Sequence, residues 1–222
     1  MKYLYILLIP FISFSQIEGK VLDEKKLNAA LKSRDISKID LITKNVEKEF
    51  NNPHVYAKIK ELQAEAITDI IYYEAYYPGI FRTLHDGDQL IEGQYSPKDQ
   101  YIIYKKEDVL FCEKFVIGEF IAQKLNTSTY FFSNLILTIE QDVFISALAD
   151  YEIRDNRYLL NGCHSDHQPF YTLVYFSTNH TIMHKFAESD LECENNLFYH
   201  YNRNRGLYTS VIELQKLFKQ GK

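Results

Sequence analysis

The chain has 222 residues, a formal net charge of −5 and a hydrophobic fraction of 46%. This composition is that of a folded globular protein and excludes an intrinsically disordered one, which has few apolar residues. The mild acidity argues against nucleic acid or an anionic membrane surface as the main partner, because both are bound through basic patches. Tyrosine and phenylalanine are frequent, at 18 and 15 residues, whereas tryptophan is absent.

The first fifteen residues have the pattern of a cleavable secretory signal peptide. Lys2 supplies a positive start, an uncharged apolar run covers residues 3–14, and Ser13 and Ser15 are small residues where the signal peptidase requires them. The apolar run is shorter than the roughly 20 residues that span a bilayer as a helix. We therefore predict cleavage before Gln16, and a soluble mature protein without a membrane span in the periplasm or outside the cell.

Three cysteines would enter an oxidising compartment after export. Cys163 and Cys193 both lie in polar, loop-like sequence, and we predict a disulfide between them. Closing a loop of about 30 residues would stabilise the fold by about 3–4 kcal/mol in the chain-entropy model. Cys112 lies inside an apolar run and is expected in the core, although the spacing alone leaves other pairings open.

Residues from about 22 to 77 are predicted to be helical. Apolar residues recur near helical spacing over 22–31 and, after Asp35, again over 36–50. Pro53 is well placed in the first turn of a third helix, which is predicted to continue to the tyrosine-rich stretch 72–77. That stretch contains Tyr72, Tyr73, Tyr76 and Tyr77.

From about residue 79 to 205 the pattern changes to short strands and turns. A hairpin is predicted around Asp86-Gly87, and a second one around Thr178-Asn179. The predicted strands are 80–85, 89–95, 100–105, 130–140, 143–154, 157–160, 170–177 and 181–187. Residues 107–125 fit neither period cleanly and are assigned to a helix on length alone, and an amphipathic helix is predicted at about 207–219.

These elements predict an α+β fold in which N-terminal helices pack on an antiparallel β-meander and a C-terminal helix closes the domain. No repeat of 30–40 residues recurs, which excludes a solenoid. No low-complexity linker divides the chain, so we expect residues 16–222 to form a single domain.

The densest group of metal-ligating residue types is His164, Asp166 and His167. A loop that presents the two imidazoles would suit zinc or copper, with the carboxylate as a ligand or as an orienting group. His180 and His184 follow in the chain, but on a strand they would lie about 13 Å apart and would not share one ion. The alternative is a polar loop pinned by the disulfide, and no cofactor is predicted by default.

A second group of residues suggests binding rather than metal chemistry. Tyr199, His200, Tyr201, Arg203 and Arg205 precede the final helix. Arginine makes paired hydrogen bonds to carboxylates and phosphates, and tyrosine adds rigid contact area. We therefore regard these five residues as candidate binding residues, the alternative being a solvated loop whose rings pack back on the sheet.

The sequence lacks the short motifs of serine hydrolases, phosphate-binding loops and zinc proteases. Our leading hypothesis is an exported, non-catalytic domain that binds a ligand or a protein through the 196–206 loop or the tyrosine-rich stretch. One alternative is a metal-dependent hydrolase that uses His164, Asp166 and His167. Another is a carrier of a small apolar ligand, and the sequence does not identify the ligand or partner in any of these cases.

Overall fold

The computed structural model describes residues 16–23, 25, 26, 29, 41–50, 52–78, 84–86, 89–91, 98–116, 118–125, 127–144, 168–196 and 198–220. The strands are, in chain order, β1 (Ile17–Leu22), β2 (Leu41–Asn45), β3 (Ile70–Tyr76), β4 (Leu84–Asp86), β5 (Gln89–Ile91), β6 (Lys98–Lys106), β7 (Val109–Val116), β8 (Glu119–Lys124), β9 (Phe170–Phe176) and β10 (Thr181–Ala187). Eight of them form one sheet in the order β2-β1-β10-β9-β3-β6-β7-β8, and β4 pairs with β5 separately.

The helices with defined bounds are α1 (Pro53–Ala64), α2 (Thr129–Gln141), α3 (Glu188–Glu192), α4 (Tyr199–Arg203) and α5 (Gly206–Gln220). The described residues are therefore α+β, as predicted. The arrangement differs from the prediction in two ways. β1 runs parallel to β10, so the sheet is mixed rather than an antiparallel meander, and most of the helices lie towards the C-terminal end of the chain rather than in an N-terminal layer.

The large sheet buries a hydrophobic cluster on each of its faces. On one face, α1 packs on the central strands, and the buried residues of this cluster are Ile17, Val46, Phe50, Val55, Ile59, Leu62, Ile67, Ile70, Tyr72, Ile102, Tyr104, Val174, Phe176 and Met183. On the other face, α2 and α5 pack on the alternate side chains of the same strands, among them Ile71, Tyr73, Ile103 and Leu173. The central strands are thus apolar on both sides, because successive side chains of a strand point to opposite faces.

The N-terminal strands replace part of the predicted helical region. Residues 36–50 were expected to be a helix, but 41–45 form β2 and Glu47–Glu49 form a single 3-10 turn. The strand is held by pairing with β1 and by Val46, whose N–H donates to the carbonyl of Ile17 at 2.8 Å. A Cβ at Gly19 would lie 2.7 Å from Val46 Cγ1, so this close contact requires glycine. Residues 25, 26 and 29 are helical as predicted.

Helix α1 begins where the sequence predicts and ends earlier. The Asn52 side chain accepts a hydrogen bond from the Val55 N–H at 3.2 Å, and Pro53 fills the first turn. The helix stops because Ala66 has a left-handed backbone with φ of 64°, and the Ile67 N–H returns to the Leu62 carbonyl at 3.1 Å. This is a Schellman C-cap, and it lets residues 70–76 form the central strand β3 instead of more helix.

Residues 107–125 were predicted to be a helix, and this prediction is wrong. They form β7 and β8, after a tight turn at Glu107-Asp108 that follows β6. Glu107 has φ of 52° and Gly118 has φ of 90°, and these left-handed positions mark the two chain reversals. Gly118 was the signal in the sequence that a turn divides this stretch.

Residues 130–140 were predicted to be a strand and instead lie in helix α2. The Ser128 hydroxyl caps the helix by accepting from the Phe131 N–H at 3.3 Å. The buried residues Phe131, Leu135 and Ile139 are four positions apart, a spacing that fits a helix rather than a strand. The many aromatic and β-branched residues misled the prediction, since strand propensity yields to packing on a sheet.

Other predictions are confirmed. The hairpin of 170–177 and 181–187 appears as β9 and β10, the strand 100–105 lies in β6, and the final helix is α5. Asp86 pairs with Gln89 around the predicted Asp86-Gly87 turn. The predicted strand 143–154 is wrong for its first two residues, since Val143 and Phe144 are buried but not in a strand. Its remainder and the predicted strand 157–160 lie outside the described residues.

The C-cap of α1 gives a stability prediction. A left-handed alanine costs about 1–2 kcal/mol relative to a glycine in the same conformation. Ala66→Gly should therefore raise the free energy of unfolding by about 1 kcal/mol in a urea titration. The matched control is Ala57→Gly, at an exposed position within the same helix, which should lower it by about 1 kcal/mol. A decrease in both variants would contradict the proposed C-cap.

Candidate functional site

A polar cluster lies at one end of the central strands, on the face that α1 covers. The Glu74 carboxylate of β3 accepts hydrogen bonds at Oε2 from the Tyr72 hydroxyl and from Gln100 Nε2 of β6, each at 2.7 Å. Gln100 Nε2 also donates to the Tyr72 hydroxyl at 2.7 Å. Because both partners hold the same oxygen, the carboxylate is fixed in one orientation, with Oε1 turned to the rim of the sheet.

Two aromatic rings and one lysine complete this rim. Tyr76 and Phe170 are opposite each other on β3 and β9, with ring centroids 6.4 Å apart, and both are half-buried. Lys98 Nζ lies 3.3 Å from Glu74 Oε1 and 5.5 Å from the centroid of the Tyr76 ring. We call the six residues Tyr72, Glu74, Tyr76, Lys98, Gln100 and Phe170 the sheet-end site.

The two charges of the sheet-end site differ in their exposure. The Glu74 side chain is 14% exposed and that of Lys98 is 48% exposed. The carboxylate is therefore held by the sheet, whereas the ammonium reaches it from the solvent side. Burial raises the pKa of Tyr72 well above its usual value, and the neighbouring Glu74 charge raises this pKa further. The phenol stays protonated and remains a hydrogen-bond donor to the carboxylate.

A second polar group on the same face joins α1 to the sheet. Glu113 of β7 is buried, accepts a hydrogen bond from the Tyr104 hydroxyl at 2.7 Å, and has Lys58 Nζ 3.1 Å from its other oxygen. The lysine contact is an ion pair without hydrogen-bond geometry. Because the pair is enclosed between helix and strand, its role is to fix α1 on the sheet rather than to meet a ligand.

The predicted binding residues lie on and just after α4. Tyr199 is buried and accepts a hydrogen bond from Arg203, whose guanidinium also lies 5.8 Å from the ring centroid of Tyr208. The guanidinium of Arg205 lies 4.0 Å from the ring centroid of Tyr201. Each guanidinium thus lies close to aromatic rings of the protein itself. His200 is exposed, and a binding role for the five residues stays a prediction.

A buried carboxylate that the sequence did not reveal organises this region. Asp190 is 0% exposed and accepts hydrogen bonds from the Ala187 N–H at 2.7 Å and from Asn196 Nδ2 at 3.1 Å. Asn202 Nδ2 donates to the Asp190 carbonyl at 3.0 Å. These bonds connect the end of β10 to α4, and Cys193 lies between them at the end of α3. Only the fold shows that these distant polar residues meet.

The predicted metal ligands His164, Asp166 and His167 lie outside the described residues, as does Cys163. Among the described residues, no group of three or more histidine, cysteine or acidic side chains is arranged to hold a metal ion. Cys112 is a free thiol in the core, as predicted. Burial raises its pKa to about 12, so the thiol stays protonated rather than forming the thiolate that metals bind.

The two other histidines considered as metal ligands, His180 and His184, contact helix α2 instead. His184 Nε2 lies 2.9 Å from the Ile139 carbonyl. His180 Nε2 lies 3.3 Å from a Glu140 carboxylate oxygen, and its other nitrogen is 3.1 Å from the Ser177 hydroxyl. Each imidazole thus has its own partner.

Protein-family models, curated proteins and solved structures were compared with the chain, and none matches it. Among the described helices, none has both the length and the apolar character needed to cross a bilayer.

The burial of His184 predicts a pH-dependent stability. Burial and, to a smaller extent, the nearby Lys20 charge lower its pKa to about 4, against the opposing effects of the Ile139 carbonyl and Asp142. An unfolded histidine titrates near 6.5. Between about pH 6.5 and 4 the unfolded chain therefore binds a proton that the folded chain does not, so stability falls as the pH is lowered through this window.

Over this pH window the free energy of unfolding should fall by on the order of 3 kcal/mol because of His184. Urea unfolding at pH 7 and pH 4.5 should show a fall that is smaller by about 2 kcal/mol in His184→Gln, since glutamine does not titrate. The wild type is the control for this variant. Equal falls in the two proteins would show that His184 is protonated in the folded state at pH 4.5.

Proposed function

We propose that the mature chain is an exported, non-catalytic binding domain and that the sheet-end site is its contact surface. The observation that supports this is the meeting of a fixed carboxylate, a half-exposed ammonium and two half-buried rings at one end of the sheet. Binding sites typically combine rigid aromatic area with a few well-placed polar groups. The tyrosine-rich stretch contributes Tyr76 to this surface, while Tyr72 orients the carboxylate behind it.

The sheet-end site is built on regular strands rather than on loops. Glu74 and Tyr76 lie on β3, whose neighbours β6 and β9 carry Gln100 and Phe170 in register opposite them. Strands hold side chains in place more firmly than loops do, so little ordering is needed when a partner binds. The segment 196–206 is the alternative contact surface, through the exposed side chains of His200 and Arg203. The sequence predicted a loop here, whereas Tyr199–Arg203 form helix α4.

We also propose export with removal of residues 1–15, and a Cys163–Cys193 disulfide in the mature protein. Gln16 is exposed and Ile17, the first residue of β1, is buried, so cleavage at this point would leave the whole strand in the mature chain. Cys112 is a free thiol in the core. With three cysteines in the chain, Cys163 and Cys193 are the pair that this proposal joins.

Mass spectrometry of the secreted protein tests export and the disulfide together. The expected N-terminal residue is Gln16, with one reactive thiol in denaturant and none in the Cys112→Ala variant. Cys163→Ser should lower the free energy of unfolding by about 3–4 kcal/mol, since it opens the loop. Recovery of the intact chain from the cytosol with three reduced thiols would contradict both proposals.

The contact surface is testable by acetylation of lysines. Lys98 in the sheet-end site and Lys106 at the other end of β6 have side chains that are 48% and 50% exposed, so they should acetylate at similar rates in the purified protein. Addition of an extract from the compartment in which the protein resides should change the acetylation rate of Lys98 relative to Lys106. A partner that covers Lys98 slows the reaction, and one that displaces its ammonium from Glu74 speeds it. The same measurement on Tyr76→Ala should show no change in the ratio, because half of the aromatic surface is gone.

An unchanged Lys98 to Lys106 ratio would exclude the sheet-end site as the contact surface. Residues 196–206 contain no lysine, so protection there is measured by hydrogen exchange of the α4 amides. Protection of those amides, with an unchanged Lys98 to Lys106 ratio, would favour the 196–206 segment as the contact surface. Stoichiometric zinc or copper in the purified protein, lost on His164→Ala, would replace the binding proposal with the metal-dependent hydrolase.

A further inference from the structure

The sheet-end site already holds a primary ammonium group, and this group belongs to the chain itself. Lys98 Nζ lies 3.3 Å from Glu74 Oε1 and 5.5 Å from the centroid of the Tyr76 ring. An anionic oxygen combined with the face of an electron-rich ring is the environment that attracts organic cations. The ammonium reaches this environment on a side chain that is 48% exposed.

A second lysine of β6 shows what an ordinary surface ion pair looks like in this protein. Lys106 Nζ lies 2.7 Å from Glu65 Oε2, and the two side chains are 50% and 44% exposed. The lysines are equally exposed in both pairs, but the Glu74 side chain is only 14% exposed and is fixed by Tyr72 and Gln100. The sheet-end carboxylate is thus prepared for a cation in a way that the Glu65 carboxylate is not.

We propose that the sheet-end site binds a primary alkylammonium group from outside the chain and that Lys98 occupies the site in its absence. This inference rests on the proposed binding function and names the chemistry of the ligand. The group has two natural sources, a lysine side chain of a partner and a free alkylamine, and both present the same cation on an alkyl stem. The stem would lie along the half-buried rings of Tyr76 and Phe170.

Displacement of Lys98 by such a ligand requires little free energy. Ion pairs that involve a half-exposed lysine contribute little to stability, because the ammonium is well hydrated when released and solvent screens the pair. The rings and the oriented carboxylate remain in place when the lysine leaves, since they belong to paired strands. Lys98 therefore acts as a weak internal competitor rather than as a permanent part of the site.

The test is a titration of the mature protein with butylammonium chloride, followed by NMR shifts of β3 and β6 amides. Saturable binding is expected in the wild type, with affinity about two- to fivefold higher in Lys98→Ala, because the internal competitor is gone. Lys106→Ala makes the same change in net charge and should bind like the wild type. Equal gains in both variants, or no saturation in Lys98→Ala, would overturn the proposal.

Two further variants separate the site from general electrostatics. Glu74→Gln and Tyr76→Leu, each in the Lys98→Ala background, should lose most of the gained affinity, since each removes one half of the cation environment. If Glu74→Gln fails to fold, as judged by its amide spectrum, Tyr76→Leu alone decides. Retention of full affinity in Tyr76→Leu would show that the ring takes no part and would overturn the proposed site.

Two peptide probes distinguish the sources of the ammonium group. A blocked Gly-Lys-Gly peptide that binds more tightly than butylammonium would indicate a partner lysine, and the reverse would indicate a free amine, whereas the same peptide with acetylated lysine should not bind. Binding of the acetylated peptide would overturn the ammonium proposal. Protection of Lys98 in the acetylation experiment without any butylammonium binding would leave the contact surface standing and exclude only this ligand.

Discussion

The whole arrangement depends on the burial of strand β3 on both of its faces. Ile70, Ile71 and Tyr72 are each 0% exposed, and successive residues of a strand point to opposite sides. One helical layer would therefore leave half of these side chains in water, at about 1.5–3 kcal/mol for each large apolar residue. α1 covers one face, and α2 with α5 covers the other. The C-cap at Ala66 matters for this reason, because it ends the helix in time for the most apolar stretch to become a strand.

The helical layer on the second face is positioned by charges at helix ends. Lys20 Nζ donates to the Glu140 carbonyl at 3.0 Å, next to the His184 contact with the Ile139 carbonyl. The Lys20 ammonium thus meets the negative end of the α2 dipole, while the neutral His184 ring adds a polar contact there. Asp142 follows and accepts from the Leu207 N–H at 2.9 Å, at the positive end of α5. Lys20 of β1 and His184 of β10 thus contact the C-terminal end of α2, and Asp142, which follows α2, contacts the start of α5.

The same polar chemistry serves two purposes at the two ends of β6. Glu113 and Tyr104 are enclosed by α1 and hold the helix with Lys58. At the other end, the polar cluster around Glu74 continues into half-buried rings and an exposed lysine. Tyrosine can serve both environments because its ring packs and its hydroxyl bonds. A carboxylate on a central strand is costly to bury unless hydrogen bonds compensate it, and Tyr72 and Gln100 do so here.

The sequence by itself determined the elements whose signals are local. Pro53 begins α1, Asp86 pairs with Gln89 where a hairpin was predicted, and Thr178-Asn179 lie between β9 and β10. The apolar stripe of α5 predicts that helix. Each of these depends on residues a few positions apart, whose backbone preferences do not require the rest of the chain. The sequence also placed Cys112 in the core and marked the tyrosines of the central strand, although it assigned them to a helix.

Only the tertiary structure decided the remaining elements and the site. Residues 107–125 form a hairpin because β7 pairs with the edge of β6. Residues 130–140 form a helix because their apolar side chains pack on one face of the sheet. Glu74, Lys98 and Phe170 come from three strands that are distant in sequence and neighbours in the sheet. Pairing between distant strands depends on complementary faces and on which edges are free, and neither property can be read from a short window of sequence.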